Sequence, residues 1–154
     1  IEANIAPAET SADGWLVVGG GIKDTTDPNH TDETFIAWLN EFTAEQGEDP
    51  SLSFIGTGYF FAWPIIEALR IADELPGGLS RSNFLLAHRS VKLNHPMLLD
   101  GVEFEVNGAE DAYYIEGADI SRFDADAQSW NVEGEIVDIN GSTLNCAWNN
   151  DEGG

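Results

Sequence analysis

Asp124, Asp126, Gln128, Trp130 and Glu135 follow the spacing of a calcium-binding loop, with acidic or amide groups at alternate places and a closing glutamate. Such a loop needs glycine at its sixth place, where this chain has Ser129, and it needs flanking helices that the pattern here does not supply. The stretch therefore reads as a hairpin turn. His30, His88 and His95 are scattered, with neither a His-x-x-x-His spacing nor paired cysteines, so no zinc pattern is present. No serine or cysteine sits in a nucleophile elbow, and Gly19-Gly20-Gly21 lacks the Lys-Ser/Thr of a phosphate loop. The lone Cys146 excludes a disulfide within the chain and reads as a buried thiol. These residues point to no metal, no cofactor and no covalent chemistry, hence to a protein that is not an enzyme.

The chemistry that remains is binding, and composition narrows it. The chain has 154 residues, enough for one ordinary domain with a core, and 28 acidic against 6 basic side chains give a net charge of −22. That field repels phosphate backbones and anionic headgroups, which excludes nucleic acid as a partner. It suits solubility at high ionic strength, where carboxylates are screened. No apolar run approaches the roughly 20 residues of a membrane helix, because Pro64, Glu67 and Arg70 interrupt the longest one.

Periodicity predicts the elements. Trp15 to Val18 reads as a short buried strand running into the three glycines, where the backbone turns or approaches something closely. Thr31 is placed to cap a helix with Asp32 and Glu33 in its first turn and Phe35, Trp38, Leu39 and Phe42 as its apolar stripe. Gly47 and Pro50 end it. A second helix over about 54–75 carries Ile55, Tyr59, Ala62, Ile66 and Leu69 at helical spacing, thickened by Trp63 and Ile65. It is apolar nearly all round in its first half, which predicts cover on several sides. Ser80 is placed to cap a third helix that buries Phe84, Leu85 and Val91. Beyond Pro96 the period becomes two, and strands are expected over 102–106, 118–123 and 130–139.

The run from Gly56 to Ala72, with a glycine-flanked Tyr59 opening an apolar helix, follows Gly47-Glu48-Asp49-Pro50 and precedes Leu99-Asp100-Gly101-Val102-Glu103-Phe104. Further on come Tyr113-Tyr114-Ile115-Glu116-Gly117 and Arg122-Phe123-Asp124. In this order these motifs resemble the C-terminal portion of a type I periplasmic binding protein, the Leu/Ile/Val-binding family that serves branched-chain amino-acid and amide ABC importers. Tyr114 stands where that family commonly has proline.

The resemblance implies an α/β chain that is part of a two-lobed fold with three crossovers and a C-terminal β-hairpin. Residues 1–154 would be a single fragment: about 1–50 a second-lobe strand and helix, about 51–98 first-lobe helices, about 99–154 the return crossover and last strands. The absence of an initiating Met and of a signal peptide fits an N-terminus that has been cut. It implies a solute-binding component that captures a small amino acid, amide or related acid in an interlobe cleft and delivers it to a membrane permease. The location would be periplasmic or extracellular, with a lipid anchor on a missing N-terminus as an option. Tyr59 would contact the ligand, helped by Thr57 and Phe60, with Glu9 facing its ammonium. The remaining cover would come from the rest of the same polypeptide or from a dimer partner. A ligand-sensing receptor domain of the same fold is the alternative, and a small hydrolase, lacking a nucleophile and base, comes third.

Overall fold

A computed structural model describes residues 5–142, so Cys146 lies outside the described residues. The chain mixes helix and strand: after a 3-10 segment at Ala6–Ala12 come β1 (Leu16–Gly19), α1 (Thr34–Glu45), α2 (Ser53–Glu74), α3 (Arg81–His88), β2 (Lys92–Leu93), β3 (Phe104–Glu105), β4 (Gly117–Asp124), β5 (Ser129–Val132) and β6 (Val137–Asp138). Every strand pairing among the described residues is antiparallel. One sheet has the order β1-β4-β5 with β6 also on β4, and β2 pairs β3 in a separate ribbon. The hairpin expected at Asp124–Ser129 forms, with Asp124 Oδ1 accepting from the Ala127 amide at 2.8 Å.

The main core gathers Leu39 of α1, Phe60, Ala68 and Ala72 of α2, Ala87 of α3, and Val91, Met97, Leu98, Phe104 and Val106. A smaller cluster packs Ala12 of the 3-10 segment on Phe123 of β4. On α2 the buried stripe is Gly56, Phe60, Pro64, Ala68 and Ala72, which lies on a different face of the helix from the predicted Ile55, Tyr59, Ala62, Ile66 and Leu69. Small side chains let a helix lie close to its neighbours, and that gain in contact outweighs the size of the residues left outside. The expected cover is correspondingly partial. Phe54 is 69% and Phe61 62% exposed, so among the described residues the first half of α2 is packed on one side only.

Three other expectations are corrected in the same way. Thr31 and Asp32 lie before α1, whose N-cap is Glu33 and has no side-chain cap bond; its buried residues are Ile36, Leu39 and Thr43, while Trp38 is half exposed. Leu85 is exposed on α3, and Ala87 takes the buried place. β1 is an exposed edge strand rather than a buried one, with Val18 75% accessible.

The glycine run after β1 does both things expected of it. Gly21 adopts φ +68°, its amide donates to Asp119 Oδ1 at 3.0 Å, and a Cβ there would stand 2.6 Å from Val102 Cγ2. Only glycine satisfies the conformation and the contact together. The turn sends residues 21–23 alongside 97–99, through Leu99 N to Gly21 O and Lys23 N to Met97 O, both 2.8 Å.

Ser80 caps α3 as its sequence position predicts, accepting from the Asn83 amide at 3.1 Å. Ser80→Ala is expected to cost about 1 kcal/mol, read as a fall of about 3 °C in melting temperature. An unchanged melting curve would show that the Asn83 side chain, bonded to the Pro76 and Gly78 carbonyls, holds this helix start unaided.

Candidate functional site

The start of α2 is where predicted ligand contacts and an open cavity coincide. Leu52 occupies the N-cap and makes no side-chain cap bond, and the first turn contains no acidic residue. A 22-residue helix thus presents its positive end without a side-chain partner. Beside it opens a cavity of about 230 Å³ between the Ile22–Thr25 segment, the first two turns of α2 and Met97.

Gly56 sets this geometry, because a Cβ at that position would be 2.7 Å from Thr25 Cγ2; the segment can lie against the helix only where the side chain is missing. Asn40 on α1 holds the segment from behind, donating to the Thr25 carbonyl at 3.0 Å. Phe60 is 4% exposed and, with Met97, gives the cavity an apolar floor. Ser53, Thr57 and Thr25 bring hydroxyls to its walls. The Thr57 hydroxyl donates to the Ser53 carbonyl at 3.1 Å, which leaves its oxygen as an acceptor. Lys23 reaches the wall but is neutralised by Glu33 at 2.6 Å. Burial, opposed by its bonds to Lys23 and His30, leaves the Glu33 carboxyl below the ordinary range. Among the described residues no histidine or cysteine lines the cavity; besides Lys23 it offers apolar contact, hydroxyls, the Asp24 carboxyl and a helix dipole.

Of the four ligand contacts implied by the resemblance, the structure brings Thr57 and Phe60 together here. Tyr59 does not line the cavity. It turns toward the main core, its ring edge-on to Phe42 with centroids 6.2 Å apart. Glu9 is exposed on the 3-10 segment, at φ 50°, and does not line the cavity. Sequence reasoning missed Ser53, Thr25 and Met97. Ser53 carried a signal, being a hydroxyl one residue past a poor N-cap, whereas Thr25 and Met97 arrive by the long-range turn at Gly21.

Across Ile22 and Asp24 lies a second recess of about 120 Å³, walled by Asp27, Asp119, Ser121 and Trp130. Its buried carboxylates already have internal work. Asp119 accepts from Gly21 N and Ser121 Oγ, and Asp27 accepts from the amides of Asn29 and Trp130. Among the described residues no group of three or more histidine, cysteine or acidic side chains is disposed to hold a metal ion. No helix there is long and apolar enough to cross a membrane. In comparisons with known proteins the chain matches no family model, no curated protein and no solved structure.

Proposed function

We propose that this chain is part of a solute-binding protein of the two-lobed type I fold, which captures a small amino acid, amide or related acid and passes it to the permease of an ABC importer outside the cytoplasmic membrane. The observation that carries this reading is the convergence of Thr57 and Phe60 on one cavity at the uncapped start of α2. An apolar floor, hydroxyl walls and a positive helix end together suit a small ligand with an apolar body and a carboxylate or carbonyl. Phe61, Trp63 and Ile66, which are 62%, 38% and 50% exposed, are the residues through which a second lobe or a partner subunit would close over it. Binding by hinge closure makes and breaks no covalent bond.

The reading predicts weak binding by this chain alone, since the opposite lobe supplies part of the site and each missing charge-assisted bond is worth about 1.5–3 kcal/mol. Titration of the labelled chain with leucine, acetamide and phenylacetate, followed by amide shifts, is expected to give millimolar binding by at least one of them, centred on Ser53, Thr57 and Phe60. Thr57→Val should weaken it. Micromolar affinity, or shifts confined to other parts of the chain, would reject the site.

A further inference from the structure

The sequence contains two Asn-Gly pairs, Asn107-Gly108 and Asn140-Gly141, and the fold holds them differently. In such a pair the glycine has no Cβ to shield its amide nitrogen, which can close on the neighbouring carboxamide to a five-membered ring. At Asn107-Gly108 the surroundings oppose closure. Gly108 N donates to the Arg89 carbonyl at 2.8 Å and Val106 N to the Val91 carbonyl at 2.9 Å, so the backbone is held on both sides of Asn107. The Asn107 carboxamide is engaged as well, Oδ1 accepting from the Ala109 amide at 3.3 Å and Nδ2 donating to Glu110 at 3.0 Å. Space is short too, since a Cβ on Gly108 would stand 2.9 Å from Arg89 Nε.

Asn140-Gly141 forms the centre of the turn after β6, closed by Ser142 N to Ile139 O at 2.8 Å. Gly141 is exposed, and a Cβ on it would meet nothing within 4 Å. Its amide donates to a carboxylate oxygen, Glu116 Oε2, at 3.2 Å. That places a base on the proton that ring closure removes. The nitrogen that would leave, Asn140 Nδ2, donates to Glu103 Oε2 at 3.1 Å and Glu105 Oε2 at 3.4 Å. With Asp138 Oδ2, which accepts from the Glu103 amide at 2.7 Å, this side chain ties the turn to β3 and the residue before it.

We propose that Asn140 is a site of spontaneous deamidation, and that the change releases the turn after β6 from β3. Glu116 accepts the Gly141 amide proton while the Gly141 nitrogen bonds to Asn140 Cγ. The Cγ–Nδ2 bond then breaks, and Nδ2 departs with that proton as ammonia. Water opens the succinimide at either carbonyl, which leaves aspartate or isoaspartate. Both products exchange a donor for a carboxylate facing Glu103 and Glu105, whose shared cation, Lys92, already has two charges to balance. Like charges at this range repel, and isoaspartate also lengthens the backbone of the turn by a methylene.

The test incubates the whole chain at mildly alkaline pH, folded and in denaturant, with peptide mapping and an isoaspartate-specific methyltransferase to locate the product. Denaturant gives each pair its unstructured reference rate. In the folded chain residue 107 is expected to fall well below its reference, while residue 140 matches or exceeds its own. Glu116→Gln should slow residue 140 about tenfold, less than the roughly 10²-fold of a positioned base in an enzyme, because the bond is long and the turn exposed. Asn140→Asp, which carries one of the products, should exchange its Glu103 amide faster than the parent. Residue 140 slowed by folding as much as residue 107 would overturn the proposal, and the parent chain alone decides this even where a variant fails to fold. So would an undiminished rate in Glu116→Gln, an unchanged Glu103 amide in Asn140→Asp, or loss of ammonia that leaves residue 140 joined to Lys92.

Discussion

Asp27→Ala is expected to destabilise the chain by about 3 kcal/mol, a fall of about 9 °C in melting temperature. Asp27 is 1% exposed, and its two carboxylate oxygens accept from the amides of Asn29 and Trp130, each at 2.9 Å. Asn29 completes the arrangement by donating its Nδ2 to the Trp130 carbonyl at 2.8 Å. Two side chains of the 24–31 loop thus take both backbone groups of a β5 residue, standing in for a neighbouring strand. Truncation leaves the Trp130 amide without its acceptor. Asp27→Asn should recover part of the loss, since its one remaining oxygen can serve only one of the two amides while its NH₂ faces the other. Hydrogen exchange at Trp130 is the local readout. Loss of stability without faster exchange there would mean that Asp27 acts through the Asn29 turn alone.

A comparable loss, about 3 kcal/mol, is expected for His95→Leu. Pro64 sits inside α2 and has no amide hydrogen, so the Phe60 carbonyl lacks the donor that the helix ladder would provide. His95 supplies it. Nε2 lies 3.0 Å from the Phe60 oxygen, and Nδ1 accepts from the Met97 amide at 3.2 Å, which fixes the neutral ring with its proton on Nε2. The ring also packs on Phe60, with centroids 4.4 Å apart.

Pro64→Ala restores an amide to the Phe60 carbonyl, so His95→Leu should cost about 1–2 kcal/mol less in that background. Additive losses would show that His95 contributes packing only. Burial, opposed by the Phe60 bond, holds the His95 imidazole below its ordinary value. A base depressed on folding contributes stability above its unfolded value, about 6.5, and loses it as pH falls through the folded value. Acid unfolding of the parent should therefore include a step that His95→Leu lacks.

What the sequence made legible was local. The Ser80 cap, the turn at Asp124–Ser129 and the bounds of α2 within a residue or so all follow from neighbours in the chain. The face of α2 that packs was misread because apolar periodicity weights size, while Gly56, Ala68 and Ala72 are buried for being small. Trp15–Val18 looked like core because it is apolar, yet it has one strand neighbour among the described residues and no layer over it. At the candidate site, Thr57 and Phe60 were legible from their place at the head of α2. Tyr59 was carried into the cleft by resemblance, although a shift of one residue along a helix turns a side chain by about 100°. Asp27 and His95 gave no signal, because their partners lie 103 and 35 residues away.

The open side of β1 bears on how the protein behaves in a crowded solution. An edge of apolar residues that pairs on one side only among the described residues can recruit another strand, and mutual repulsion between molecules of charge −22 opposes the meeting of two such edges. The reach of that repulsion is the ionic atmosphere, about 10 Å at 0.1 M salt and about 3 Å at 1 M. Adding salt thus relieves the crowding of carboxylates within each molecule and, by the same screening, lets neighbouring molecules meet edge to edge. Folding stability and colloidal stability are therefore set against one another along a single axis of ionic strength, with Trp15 to Val18 as the place where the second is lost.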